Sequence, residues 1–217
     1  MDIIAYFIDF ILHIDVHLEE LISTYGTATY IILFIIIFIE TGLVITPFLP
    51  GDSLLFAAGA MAALGSLNIW AIVLFLILAA FLGDTSNFWI GHFFGEKIIA
   101  HPKIPIKKKH IEKTHSFFNK YGSETIILAR FVPIVRTFAP FLAGIGKMHY
   151  GKFIAYNLVG GVLWVLIATL AGYFFGNIPV VKENFSLVIF AIIFISILPM
   201  VFEAIKHKMN KSSDTPS

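Results

Sequence analysis

Long apolar runs separated by short polar segments dominate the sequence. Residues 156–181 and 185–202 are apolar almost throughout, and residues 69–91 form a third such run, with Asp84 and Asn87 near its end. An α-helix rises about 1.5 Å per residue, so roughly 20 apolar residues cross the ~30 Å hydrocarbon layer of a bilayer. The three runs therefore predict three membrane-spanning helices.

Two further apolar runs, residues 27–63 and 126–146, are interrupted by residues that break helices. The breaking residues are Pro47, Pro50 and Gly51 in the first run and Pro133 and Pro140 in the second. Proline lacks an amide hydrogen, and its ring clashes with the preceding helical turn. Broken backbone at membrane depth has to be covered by protein or line a wet cavity. Both runs are therefore predicted to be re-entrant hairpins, which enter and leave the membrane on one side.

The distribution of basic residues predicts how the chain is oriented. All 15 Lys and Arg residues follow residue 96. Lys and Arg are enriched in cytoplasmic loops, so the loop 96–124 and the tail 206–217 are predicted to be cytoplasmic. The hairpin at 126–146 then opens to the cytoplasm and the hairpin at 27–63 to the outside. Residues 1–24, which carry acids on an apolar helical background, are predicted to form an amphipathic interfacial helix.

The predicted fold is an all-α membrane protein, an inverted-repeat helical bundle with two opposed re-entrant hairpins. Inverted repeats with broken helices recur in secondary transporters. The two broken runs also share a faint internal similarity. The segments LPGDSLLFAAGAM and VRTFAPFLAGIGKM each combine a turn, an apolar stretch and an Ala-Gly exit.

The composition excludes several classes of protein. Hydrophobic residues make up 58% of the 217 positions and charged residues 13%, about half the charged share of a soluble domain. This balance excludes a water-soluble enzyme and a disordered chain. The chain has no Cys, which excludes disulfide and thiol chemistry. The Lys-rich loop lies between membrane segments, so anionic lipid head groups suit it better than nucleic acid.

Four charged residues lie inside the broken runs: Glu40 and Asp52 in the first, Arg130 and Arg136 in the second. A charge at the bilayer centre costs roughly 2.5 to 3.5 kcal/mol, so each needs a partner or a function. One interpretation is that the four residues pair and hold the two hairpins together. The other is a binding site, because a guanidinium fork suits two-point binding of phosphate and an intramembrane acid suits proton exchange.

The binding-site interpretation assigns a role to further residues. The predicted phosphate ligands are Arg130, Arg136, Ser53 and Thr137. The predicted proton-exchanging acids are Glu40, Asp52 and Asp84. Asp84 has a second interpretation, as a solvated residue at a helix end. His13 and His17 have the i, i+4 spacing of a helical metal site, but no third ligand is nearby, so neither a metal nor another cofactor is predicted.

Three stretches of the sequence resemble a known family: ETGLVITPFLPGDSLLFAAG, GDTSNFWIGHFFG and ARFVPIVRTFAPFLAGIGKMHYGKF. They are similar to the bacterial DedA membrane proteins, whose shared core is also called the VTT or SNARE-associated domain. The resemblance covers residues 25–205 and implies two opposed re-entrant hairpins. The functionally required acids and arginines of the family fall here on Glu40, Asp52, Arg130 and Arg136. The sequence departs from the middle motif of the family, because Phe88 and His92 stand where Tyr and a basic residue are common.

The resemblance also implies a function in envelope integrity and in the transport of lipid head groups across the bacterial inner membrane. We expect a multi-pass, proton-coupled flippase that recycles undecaprenyl phosphate, rather than an enzyme. The expected partners are an anionic lipid (undecaprenyl phosphate or a phospholipid), the membrane and protons, and a homo-oligomer is compatible with this function. A lipid scramblase, a proton or cation antiporter and an undecaprenyl pyrophosphate phosphatase remain alternatives.

Overall fold

The computed structural model describes residues 13–43, 51–100 and 118–185, together with residues 112, 115, 187–188, 190–192 and 194. All regular structure in this part of the chain is helical. The α-helices with described bounds are α1 (Ile14–Tyr25), α2 (Thr29–Gly42), α3 (Gly51–Ala63), α4 (Ile69–Ala100), α5 (Thr125–Ala129), α6 (Pro133–Ile145), α7 (Tyr150–Phe175) and α8 (Pro179–Glu183). Short 3-10 turns at Gly26–Ala28 and Gly122–Glu124 precede α2 and α5.

Three helical stretches are apolar and long enough to cross a membrane: Ile14–Gly42, Ile69–Gly95 and Tyr150–Phe175. The first consists of α1 and α2 joined by the turn Gly26–Ala28. Their lengths of 29, 27 and 26 residues correspond to roughly 40 Å of helix each, more than the hydrocarbon thickness. The prediction of an all-α chain with membrane-spanning helices is confirmed at this level.

The bounds of the two long helices differ from the predicted runs. The helix α4 continues to Ala100, well beyond the predicted end at residue 91, and α7 begins and ends earlier than the run 156–181. Asp84 therefore lies in the middle of α4 and is buried, which overturns its interpretation as a solvated helix end. The helix continues through Asp84 and Asn87 because both side chains find polar partners outside α4.

The second broken run consists of two helices joined by a turn, and one of the two prolines predicted to break it does not do so. The helix α5 ends at Ala129 and α6 begins at Pro133, where a missing amide hydrogen costs nothing because the first helical turn has no partner for it. Pro140, however, lies inside α6 and does not end it. The helix continues because Phe138, Phe141 and neighbouring apolar side chains are buried in its packing against α4.

The first broken run is described on both sides of its break. The helix α2 ends at Gly42 and α3 begins at Gly51, whereas the predicted breaking residues Pro47 and Pro50 lie outside the described residues. The re-entrant path of both hairpins stays a prediction.

Several other predicted segments are described only in part. The predicted interfacial helix 1–24 overlaps α1, whose buried residues Ile14 and Leu18 face the core beside α3. Most of the predicted span 185–202, much of the loop 96–124 and all of the tail 206–217 lie outside the described residues.

Glycines allow α3 and α7 to approach until their backbones touch. A Cβ atom at Gly59 would overlap the carbonyl oxygen of Thr169, and one at Gly172 would overlap the carbonyl oxygen of Phe56. Small residues at such crossings maximise van der Waals contact, which is the main force between helices in lipid. The crossing joins a helix of the first broken run to a helix of the second half.

The crossing of α6 with α4 has the same construction. A Cβ atom at Gly144 would overlap the carbonyl oxygen of Phe88, and one at Gly91 would overlap the carbonyl oxygen of Phe141. In each crossing, both helices contribute one glycine, and each glycine packs against a backbone carbonyl group of the other helix. The helix that follows the break in one half packs on the long helix of the other half in both cases.

The two halves also begin with the same local structure. Gly26 and Gly122 have positive φ values of 52° and 56°, and each starts a 3-10 turn. The residue after each turn, Thr29 or Thr125, is fully buried. Glycine adopts a positive φ without steric strain, which explains its presence at both turns.

Candidate functional site

Arg136, on α6, is held between the two acids of the first broken run. Its Nη1 group donates to Asp52 Oδ1 at 3.0 Å, and its Nη2 group donates to Glu40 Oε1. The side chains are 11% exposed for Arg136, 28% for Asp52 and 2% for Glu40. The predicted meeting of Arg136 with both acids is therefore observed, and it joins α2, α3 and α6.

Arg130, in the turn between α5 and α6, has a different set of partners. Its Nη2 group donates to Asp84 Oδ2 at 2.5 Å and to Asn157 Oδ1 at 2.7 Å. Arg130 is buried, and so is the side chain of Asp84 with which it forms the ion pair. The expected meeting of both arginines with Glu40 and Asp52 is thus corrected: Arg130 pairs with Asp84 on α4.

Trp164, on α7, connects the two ion-pair groups. Its ring centroid lies 5.0 Å from Arg136 Cζ and 5.7 Å from Arg130 Cζ, within the range of cation–π contacts. Its Nε1 group donates to Asp52 Oδ1 at 2.6 Å. Neither Trp164 nor Asn157 is among the predicted site residues, because this stretch of α7 has the apolar composition of a plain membrane span. The sequence did contain a signal for both residues: each has a polar N–H group within an apolar helix, and a buried N–H donor requires a hydrogen-bond partner.

Asn87 links the two broken runs through their backbones. Its Nδ2 group donates to the carbonyl oxygens of Thr137 at 3.0 Å and of Thr41 at 3.3 Å. Asn87 is fully buried and lies one helical turn from Asp84 on α4. The long helix α4 therefore contributes both an acid and an amide to the site.

The predicted hydroxyl donors are both buried near the arginine–acid groups. Ser53 follows Asp52 on α3, and Thr137 follows Arg136 on α6. The Oγ atom of Ser53 has no hydrogen-bond partner among the described residues. Both residues are therefore buried next to a residue of the ion-pair site, and their role as phosphate ligands stays a prediction.

Several charged atoms of the site are buried without a hydrogen-bond partner in the described part of the chain. They are Arg130 Nε, Arg130 Nη1, Glu40 Oε2 and Asp84 Oδ1. Buried polar atoms of folded proteins nearly always have a partner, and exceptions occur where a water, an ion or a ligand binds. The site thus has donors and acceptors available beyond its internal ion pairs.

Two glycines make room for the charged side chains. A Cβ atom at Gly51 would overlap the carboxyl group of Glu40, and one at Gly160 would lie 3.3 Å from Arg130 Cδ and Nε. Gly51 was predicted only as a breaking residue, but it also seats Glu40 at the start of α3. The close approach of backbone to carboxylate and guanidinium explains why these positions have no side chain.

The site combines three acids with two arginines in an apolar surrounding. An anion that binds the Nη1 and Nη2 groups of Arg136 competes with the two carboxylates that already accept hydrogen bonds from them. Protonation of a carboxylate weakens its hold on a guanidinium group, since the charge attraction is lost. An anion and a carboxylate can therefore compete for the same guanidinium group, and protonation of the carboxylate favours the anion. Among the described residues, no group of three or more His, Cys, Asp or Glu side chains is placed to hold a metal ion.

Comparison with known proteins identifies the family. The VTT domain model matches residues 49–174, which contain most of the site. The chain is 58% identical over 211 residues to Protein DedA of Escherichia coli K12, and the match covers 96% of each chain. It is 44% identical over 185 residues to an uncharacterized membrane protein of Mycobacterium tuberculosis, covering 84% of this chain and 81% of that protein.

A more distant relative is the inner membrane protein YqjA of Escherichia coli K12, which is 32% identical over 174 residues, or 80% of this chain and 79% of YqjA. No solved structure matches the chain. The domain match, the near full-length similarity and the apolar helices agree, so the chain is a membrane protein of the DedA family, with a VTT domain.

Proposed function

We propose that this protein moves an anionic lipid carrier, undecaprenyl phosphate, across the bacterial inner membrane in exchange for protons, as a flippase and not as an enzyme. The observation that carries the proposal is Arg136 held between Glu40 and Asp52 in an apolar helical bundle. Charges in such surroundings are expensive, and they usually mark a substrate or proton path. A guanidinium fork matches a phosphate monoester, the polar end of the proposed lipid.

In the proposed cycle, the lipid phosphate replaces a carboxylate on Arg136. Arg130 is the second phosphate ligand, because its Nε and Nη1 donors are uncommitted in the described structure. Ser53 and Thr137 donate hydroxyl groups to the phosphate. Glu40 and Asp52 take up protons as the phosphate binds, and their return to the charged form expels it. Asp84 is a further proton acceptor in this scheme, opposite Arg130.

We further propose that the two halves form an inverted repeat with two opposed re-entrant hairpins. The matched crossings of α3 with α7 and of α6 with α4, and the matched turns at Gly26 and Gly122, support this arrangement. In such a repeat the site lies at the interface of the halves, near the bilayer midplane. The basic loop and the C-terminal tail are then cytoplasmic, where they face anionic lipid.

The decisive test is transport of labelled undecaprenyl phosphate by the purified protein in liposomes with an imposed pH gradient. Arg136→Lys keeps the charge but loses the fork, so we expect transport to fall at least tenfold while the protein remains folded, because one bidentate contact contributes more than about 1.4 kcal/mol. Lys152→Arg, at an exposed position of α7, is the matched control and should transport normally.

Arg136→Lys protein that transports as fast as wild type would refute the phosphate contact. Absence of lipid movement by wild type, combined with release of inorganic phosphate from undecaprenyl pyrophosphate, would replace the flippase by a phosphatase. Movement of ions or protons in vesicles that lack polyprenyl lipid would indicate an antiporter instead.

A further inference from the structure

Trp164 contacts three charged residues of the site: Asp52, Arg136 and Arg130. Its N–H group donates to Asp52, and its ring lies against the guanidinium groups of both Arg136 and Arg130. The indole is almost completely buried. It is therefore fixed between the two ion-pair groups and can affect the charge balance of both.

Asp52 is held by two donors on one oxygen atom. Asp52 Oδ1 accepts from Arg136 Nη1 at 3.0 Å and from Trp164 Nε1 at 2.6 Å. Asp52 is also the more accessible of the two acids on Arg136, with 28% of its side chain exposed against 2% for Glu40. Because Asp52 is the more exposed acid, an anion that displaces a carboxylate from Arg136 displaces Asp52 at a lower cost than Glu40, and it has to remove Asp52 from both donors.

We infer that Trp164 is a positioning residue that keeps Asp52 on Arg136 and thereby sets how readily an anionic head group displaces that carboxylate. The inference rests on the proposed function, because it assumes that an anion binds at Arg136. In wild type, displacement of Asp52 breaks the hydrogen bonds from Arg136 and from Trp164. Without the indole N–H, displacement of Asp52 breaks one hydrogen bond fewer.

If Trp164 has this positioning role, removal of its buried hydrogen bond to Asp52 strengthens the binding of the anion. A purely structural role of Trp164 predicts the opposite, since a loosened site binds less tightly. A direct contact between the indole N–H and the anion also predicts weaker binding after removal of the N–H group. The direction of the change in affinity therefore separates the three roles.

The test measures binding of farnesyl phosphate, a short lipid phosphate monoester, to the detergent-purified protein by isothermal titration calorimetry. Trp164→Phe keeps an aromatic ring but removes the N–H donor, and we expect the dissociation constant to fall about tenfold. This is the effect of one hydrogen bond to a charged group. Trp70→Phe, at a position that is 75% exposed, is the matched control and should leave the constant unchanged.

The same binding measurement on an Asp52→Asn protein tests whether Trp164 acts through Asp52. Asp52→Asn removes the competing charge, so adding Trp164→Phe to it should tighten binding less than twofold. Equal tightening in both backgrounds would overturn the inference. Where Trp164→Phe protein is not monodisperse, β-(3-benzothienyl)alanine introduced at position 164 keeps the shape of the indole and removes only the donor.

The outcomes separate this inference from the proposed function. Wild-type protein that does not bind farnesyl phosphate would refute the anion site itself. Wild-type binding combined with unchanged or weaker binding by the Trp164 variants would refute only the positioning role. Tighter binding that depends on Asp52 would support both.

Discussion

The two arginines of the site occupy different environments, although both lie in the second broken run. Arg136 bonds to two acids, one of which is partly exposed, whereas Arg130 is enclosed with Asp84 and Asn157. A guanidinium group beside a partly exposed acid can exchange partners at a small cost in solvation. A guanidinium group enclosed with its acid keeps that acid, because any intermediate leaves a buried charge unpaired, so a phosphate can bind Arg130 only through its Nε and Nη1 donors.

At the residue scale, Glu40→Gln tests the proton coupling. Glutamine keeps an oxygen acceptor for Arg136 Nη2 but cannot exchange a proton at neutral pH. We expect transport of undecaprenyl phosphate in liposomes to lose its acceleration by a pH gradient, while farnesyl phosphate binding is retained. Glu19→Gln, at an exposed position of α1, is the control. A Glu40→Gln protein that still responds to the gradient would show that another acid carries the proton.

The pair of Arg130 and Asp84 gives a second prediction at this scale. Asp84→Ala leaves a buried guanidinium group without its acid, which should lower the free energy of unfolding by about 3 to 5 kcal/mol. Unfolding of the purified protein in increasing dodecyl sulfate measures this change. The double variant Arg130→Met with Asp84→Leu should recover most of the lost stability, because both charges are absent.

If the double variant is as unstable as Asp84→Ala alone, the ion pair is not the cause of the loss. If it is stable and also transports, Arg130 is not a phosphate ligand. The two measurements therefore separate the folding role of the pair from its proposed part in binding.

At the scale of helices, the crossings decide where the charged side chains meet. Asp52 and Trp164 face each other because α3 packs along α7, and Arg130 reaches Asp84 because α5 packs against α7 beside α4. The glycine contacts place these helices closer together than any larger residue would allow. We therefore expect that a single methyl group added at one of these glycines disturbs the site, even far from any charge.

Gly172→Ala tests this dependence of the site on the helix crossing. The added Cβ atom would overlap the carbonyl oxygen of Phe56, so α3 has to move away from α7. We expect a loss of about 1 to 3 kcal/mol in the free energy of unfolding, as for other overpacked sites. Gly151→Ala, in the exposed first turn of the same helix, should be neutral or slightly stabilising because alanine favours helix.

The equivalent crossing predicts an equivalent result. Gly91→Ala would overlap the carbonyl oxygen of Phe141 and should destabilise the protein by a similar amount. A large loss for one glycine and none for the other would contradict the equivalence of the two crossings.

At the scale of the whole molecule, the matched crossings and turns relate one half of the chain to the other. Each half begins with a glycine turn, continues through a broken run and ends in a long apolar helix. The long helix of each half packs against the broken run of the other half. The halves therefore depend on each other for their packing, and the charged site forms where they meet.

The membrane orientation of the halves can be tested directly because the chain has no Cys. Single cysteines at Ser66 and Lys152, which are both exposed, introduce one label site each. The positive-inside rule places residue 66 outside and residue 152 in the cytoplasm. We expect a membrane-impermeant maleimide to label Ser66→Cys in intact cells, and Lys152→Cys only after the inner membrane is permeabilised. Labelling of both in intact cells would contradict the opposed orientation.

The sequence by itself determined the features that depend on local composition and short-range chemistry. The apolar runs, the break before Pro133 and the charges inside the broken runs were all readable, because helix length, proline geometry and the cost of a buried charge act within a few residues. The motifs around Glu40, Asp52 and Arg136 also identified the family. Pro140 shows the limit of this reasoning, since packing against α4 overrode its local effect.

Only the tertiary structure decided which charges meet. Glu40 and Arg136 are separated by 96 residues along the chain, and Asp84 and Arg130 by 46. Sequence alone favoured one shared group of two acids and two arginines, and it left Trp164 and Asn157 out. An ion pair depends on where helix crossings place side chains, and those crossings are set by contacts between distant residues such as Gly172 and Phe56.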